Sequence, residues 1–263
     1  MVAGALFSAL AIARLMKVRL SLPTVLALCL AVWVVYTFDH LIDAHKISHI
    51  AHTPRHRFHQ KYWKSLAAIL VFLSLVGVGL MFIMPFRTIL VGLIVSSVTL
   101  VYFLALRLFN VQSAFQKELF ISLVYVMGVF TGPLSQFEGQ ILPYHFLLFF
   151  EYLLLAFTNL VLFAWYEQAS DMADGHSSLV LKVGLKGTHA LLRSLYILCS
   201  VTVIAGLLIW SLGSLQWHFQ WIMFSMLVCL LIPYLLPGFF NKNERYRVIG
   251  DGAFLLPGLL LLI

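Results

Sequence analysis

The chain has 263 residues, of which 62% are hydrophobic and only 10% charged, where a soluble domain carries about a quarter charged residues. So few charges cannot coat a water-facing surface, which excludes a soluble globular domain. The net charge of +7 is modest, and no nucleic-acid partner is expected. The long apolar runs lack the dyad alternation of barrel strands, so the backbone must satisfy itself as helices in lipid. The expected fold class is therefore all-α, a polytopic transmembrane bundle forming one domain over residues 1–263.

Nine spans of the length a bilayer requires are predicted at 2–16, 21–41, 65–84, 88–107, 118–134, 143–166, 189–212, 219–238 and 246–263. The first has neither a basic leader nor a small-residue cleavage site, so it reads as a span and not as a signal peptide. Arg14 at its end is expected to snorkel toward water. Cys29, Cys199 and Cys229 lie inside apolar runs and read as buried thiols. Most basic residues fall in even-numbered connections, among them Lys46, Arg55, Lys61, Lys117, Lys182 and Arg245. Arg14, Lys17, Arg19 and Arg87 fall on the other side. The positive-inside rule then places the N-terminus in the cytoplasm and the C-terminus opposite. The acidic residues gather at the same cytoplasmic face.

Four groups could carry chemistry. At the end of span two, Asp39 and Asp43 are four apart and share a helix face. Two such carboxylates repel unless a cation sits between them. Mg²⁺, which prefers carboxylates and substrate phosphates, is one candidate; pairing with Lys46 is another. At the end of span six, Glu167, Asp171 and Asp174 form a second stripe, with Asn159 two turns earlier on the same side and Gly175 as a natural terminator. Between these motifs, His45, His49, His52, His56 and His59 recur at helical spacing, interrupted by Pro54, beside Arg55 and Arg57. This loop suits an anionic head group, an interfacial segment or a transition metal. Fourth, Lys117 and Glu118 open span five, with Arg107 and Asn110 before them, placed either to hold a phosphate or to anchor the surface. Asp251 is expected to pair with Arg247 one turn away. Glu151 stands alone within span six.

With an acidic motif after the second span and another after the sixth, the chain resembles the UbiA-type intramembrane prenyltransferase superfamily. Asp39-x-x-x-Asp43 is similar to the family's first motif. Glu167-x-x-x-Asp171, followed by Gly175-His-Ser-Ser-Leu179, is similar to the second, and Thr53-Pro54-Arg55 echoes its Arg-Pro segment. Val35 and Tyr36 stand where the family carries Asn-Asp, and Glu167 where it carries Asp.

The resemblance implies a nine-helix fold and Mg²⁺-dependent transfer of a prenyl group from an allylic diphosphate to a hydrophobic aromatic or lipid acceptor within the bilayer. Asp39, Asp43, Glu167 and Asp171 would be catalytic metal ligands, with Asp174 a further ligand. Lys117, Arg55 and Arg107 would hold the diphosphate. Tyr36, Phe38, Trp165 and Tyr166 would face a developing carbocation through their π-faces, and Asn159 would line the substrate. Two other readings stay open: a non-catalytic isoprenoid- or lipid-binding relative, and a transporter using Glu151 and Asp251.

Overall fold

The computed structural model describes residues 1–108, 114–175 and 178–263, with side chains for all of these except 103, 105–108 and 114–116. No strand occurs among the described residues. The helices are α1 (Val2–Leu15), α2 (Leu22–Lys46), α3 (Pro54–Lys61), α4 (Trp63–Met81), α5 (Phe86–Leu108), α6 (Ala114–Ser135), α7 (Pro143–Asp174), α8 (Leu179–Ile209), α9 (Leu215–Leu235), α10 (Pro237–Phe240) and α11 (Arg245–Ala253). Short 3₁₀ turns follow α10 and α11, the second at Leu256–Leu262.

Among the described residues, α2, α4, α7, α8, α9 and Lys117–Ser135 of α6 are long and apolar enough to cross a membrane, while α1 and Phe86–Tyr102 of α5 are shorter apolar helices. The chain is a multi-pass integral membrane protein. The ninth predicted span is corrected: it is α11 and a 3₁₀ segment, not one helix. Pro257, which has no N–H to continue the ladder, opens the second piece.

Local sequence explains several helix ends. Ser21, Thr53 and Ser214 each accept a backbone N–H from the first turn that follows, of Thr24, His56 and Trp217 respectively. Pro54 therefore starts α3 at its first turn, where the missing N–H costs nothing. Gly175 ends α7 at φ 71°, a left-handed position that glycine adopts without steric penalty.

α7 forms the centre, packed against α6, α8 and α9. Its Tyr152, Leu155, Val161 and Leu162 are buried. α1 joins this core because its glycine, alanines and serine (Gly4, Ala5, Ser8, Ala9) permit close approach to α2, α6 and the last 3₁₀ segment. No residue of α4 is buried, so its apolar surface faces lipid. Arg14 does more than snorkel: its Nη1 donates to the carbonyl of Leu261 at 3.1 Å, satisfying an acceptor near the end of the last 3₁₀ segment.

Length positions the site. At 1.5 Å per residue, α7 extends about 48 Å against a hydrocarbon layer of about 30 Å. Its last turns carry Glu167, Asp171 and Asp174 beyond the apolar stretch. α2 likewise runs on past residue 41 to Lys46, keeping Asp39 and Asp43 on helix. Both ends predicted from hydropathy, at 41 and 166, are short of the true ones because hydropathy marks where the lipid stops and not where the helix does. α8 starts before its predicted span for the same reason, with a break at Gly184 (φ 76°).

Candidate functional site at the C-terminal ends of α2 and α7

Two charged nests lie at the same end of the bundle. In the first, Lys117 of α6 lies 3.1 Å from Asp43 and 3.6 Å from Asp39, one ammonium between two carboxylates one turn apart on α2. Lys46 also reaches Asp43, at 3.3 Å, but its side chain is 65% exposed, and an exposed pair of this kind contributes little. The expected Lys46 pairing is present, but the better-buried cation between the two carboxylates is Lys117, from another helix.

The second nest centres on Glu167. Its Oε2 receives Arg55 Nη2 from α3 at 3.4 Å. Its Oε1 receives the Tyr246 hydroxyl at 3.0 Å and, at closer range, Arg247 Nη2 from α11. The Glu167, Arg55 and Arg247 side chains are 11%, 19% and 18% exposed. Arg247 also lies over the Phe163 ring, 4.8 Å from its centroid, a favourable cation–π position. The expected Asp251–Arg247 pair is corrected: the guanidinium turns across the bundle to Glu167. A carboxylate on a neighbouring helix, flanked by a phenol and an aromatic face, binds a planar guanidinium better than one on its own helix.

Arg55 connects the nests. Besides bonding Glu167, it interacts electrostatically with Tyr36 and Asp39 on α2 and with Asp171 on α7. Asp171 sits beside Glu167 and Ser178. Arg55, on α3 between the two motifs, is thus paired with Glu167 of the α7 stripe and within electrostatic reach of Asp39 on α2. Glu118 has a different task, accepting the first N–H of α8 from Leu179 at 3.2 Å.

Asp174 turns away from this pair. Its side chain is 1% exposed and accepts from His52 Nδ1 at 2.6 Å, His49 Nε2 at 3.1 Å and the His52 backbone N–H at 3.2 Å. The loop bearing these histidines is held by Gln60. Its amide nitrogen donates to the carbonyls of Ala44, Ile47 and His49, and its oxygen accepts the N–H of Ala51. The histidine run is thus divided. His40, His56 and His59 pack together in the interior, whereas His49 and His52 face outward.

The aromatic candidates also separate. Tyr36 is half-buried, its ring centroid 4.0 Å from that of His40. Tyr166 stacks on Tyr246 at 4.1 Å, and its hydroxyl donates to the carbonyl of Pro233 at 2.7 Å. That carbonyl needs an outside donor because Pro237, four residues on, has no N–H. Phe38 is exposed, and Trp165 packs edge-on to Tyr166 and His189 and beside Tyr234, in the groove between α8 and α9. Asn159 is buried against α11, where Gly250 allows the approach: a Cβ there would strike Asn159 Oδ1 and come within 2.6 Å of Phe163. The side chain of Arg107, and Asn110 altogether, lie outside the described residues. Sequence reasoning gave Arg247 to Asp251 and gave Tyr246 no role; the signal for both was a Tyr-Arg pair at the start of the last predicted span.

Asp39, Asp43 and Asp171 offer hard oxygen donors beside cations suited to phosphate, a donor set that fits Mg²⁺. Glu167 is already occupied by three donors. No family model and no curated protein matches the chain. Its structure is similar to the apo structure of a UbiA homolog from Aeropyrum pernix K1, at 15% sequence identity and a TM-score of 0.69, over 99% of this chain and 96% of that one. Over nearly its whole length, then, this chain adopts the fold of a UbiA homolog.

Proposed function

We infer that the protein is an intramembrane prenyltransferase that takes an allylic prenyl diphosphate and Mg²⁺ at the inner ends of α2 and α7. The observation supporting this reading is that Lys117 lies between Asp39 and Asp43 while Arg55, paired with Glu167, is close enough to act on Asp39 and Asp171. Asp39, Asp43 and Asp171 would hold Mg²⁺, with N-terminus and acidic motifs cytoplasmic and the C-terminus opposite. When bound, Mg²⁺ offsets diphosphate charge and acts as a Lewis acid on the leaving group.

The chain's own residues do the rest. The allylic C–O bond breaks and its electron pair leaves with the diphosphate, while the carbon bonds to a hydrophobic acceptor that gives up a proton. Negative charge grows on the departing diphosphate, so fixed cations there lower the barrier. Lys117 and Arg55 would serve that role, with Arg247 sharing Glu167 with Arg55. Glu167 acts as a positioning residue, holding Arg55 and Arg247 in place, rather than as a metal ligand. Tyr36, against His40 and beside Arg55, would shield the same region from water.

The test uses purified protein in detergent with labelled prenyl diphosphate, acceptor lipid extract and Mg²⁺. Expected are Mg²⁺-dependent release of diphosphate and its loss in Asp39→Ala and Asp171→Ala. Equal release by the parent and both variants would end the assignment. A non-catalytic lipid-binding relative is the second reading. It is favoured by the protein's own cations already neutralising Asp39, Asp43 and Glu167. Saturable binding of prenyl diphosphate without release would select it.

A further inference from the structure

The geometry points to a second metal site, for a zinc-class transition ion, formed by His49, His52 and Asp174. The Nε2 of His49, the Nδ1 of His52 and a carboxylate oxygen of Asp174 all lie within 4.8 Å of one another. Both nitrogens already converge on the same oxygen, Asp174 Oδ1, at 3.1 and 2.6 Å. Zinc-class ions bind imidazole nitrogen and carboxylate oxygen at about 2.0–2.2 Å, with three protein ligands and an open fourth position. Displacing the protons that hold the two contacts lets an ion take their place; tetrahedral ligation at these bond lengths sets donor atoms about 3.3–3.6 Å apart, which both exposed histidine rings reach by rotating outward from Asp174 Oδ1. The N₂O donor set excludes Mg²⁺, which takes oxygen ligands, and suits zinc, cobalt or nickel.

Three features make this a prepared site and not a chance meeting of side chains. Asp174 is anchored, its side chain 1% exposed and its carboxylate fixed by the His52 N–H, the kind of outer contact that orients a metal ligand. The two histidines are 46% and 53% exposed, so the open position faces solvent. Gln60 fixes the loop path before any ion arrives. Two nearby cations, Lys46 and Arg55, are engaged by Asp43 and Glu167. The site joins the loop after α2 to the end of α7, so occupancy fastens the segment that carries Arg55.

The experiment takes tag-free full-length protein in detergent, stripped with chelator and with no diphosphate present. It is titrated with Zn²⁺ by calorimetry and with Co²⁺ by visible absorption. Expected are one saturable equivalent, the d–d bands of four- or five-coordinate cobalt without thiolate charge transfer, and a higher thermal midpoint with Zn²⁺. His49→Gln and His52→Gln should each weaken binding at least about tenfold, and the double variant should lose the bands and the thermal response. The inference is overturned if the parent takes up no ion saturably below about 1 mM, if the double variant binds as well as the parent, or if excess Mg²⁺ competes equally. The readout is metal binding alone, so its failure leaves the diphosphate site untouched, and an inactive transferase leaves this site standing.

Discussion

Replacing Glu167 tests the second nest directly. Its carboxylate holds two guanidiniums and a phenol, and all three charged side chains are less than a fifth exposed. Removing one partner of a buried pair costs about 3–5 kcal/mol, because the remaining charges stay in low dielectric without compensation. Glu167→Ala is therefore expected to lose about 3–5 kcal/mol. Glu167→Gln should lose nearer 2 kcal/mol, since its amide oxygen still accepts one charge-assisted bond. Equilibrium unfolding in mixed detergent, followed by tryptophan fluorescence, measures both. Adding Arg247→Leu to Glu167→Leu should restore part of the loss, with a coupling energy of about 1–3 kcal/mol for residues in direct contact. A Glu167→Ala protein within about 1 kcal/mol of the parent, below the usual range for a broken buried pair, would refute the burial argument and with it the role given to Glu167.

Gly250→Ala should destabilise by about 1–3 kcal/mol through overpacking against Asn159 and Phe163. Gly252→Ala, with nothing within 4 Å of its added carbon, should be neutral or stabilising in the same unfolding assay. Tyr166→Phe should cost about 1–3 kcal/mol, by leaving the Pro233 carbonyl without its donor. Lys117→Met should raise the KM for prenyl diphosphate and lower kcat about tenfold or more, read by diphosphate release; an unchanged kcat/KM would remove Lys117 from the site. Gly175→Ala should destabilise by about 1 kcal/mol, because φ 71° crowds a Cβ, and thermal unfolding reports it.

Periodicity along one helix was legible from the sequence. The spacing of Asp39 with Asp43 and of Glu167 with Asp171 put each pair on one face, and Gly175 marked the end of α7. What a linear pattern cannot carry is the rotation of one helix against another. Arg247 is one turn from Asp251 in sequence and eighty residues from Glu167, yet the packing of α11 on α7 turns it to the latter. Asp174 shares the Glu167 stripe by count. It lies seven residues on, however, about 10 Å further along the axis than Glu167, level with the α2–α3 loop, where His49 and His52 meet it. The break in the last span came from Pro257, which the apolar run around it masked.

Gln60 has a consequence for how this surface tolerates change. One amide stitches four backbone groups of the turn before it, so the route of that turn is set from α3, with Asp174 holding its far end through His49 and His52. Ile50 and His45, which take no part in the stitching, can therefore be exchanged for labels or reactive handles without redirecting the chain. Removing Gln60 itself would release four backbone groups at once and leave the turn hanging from Asp174 alone.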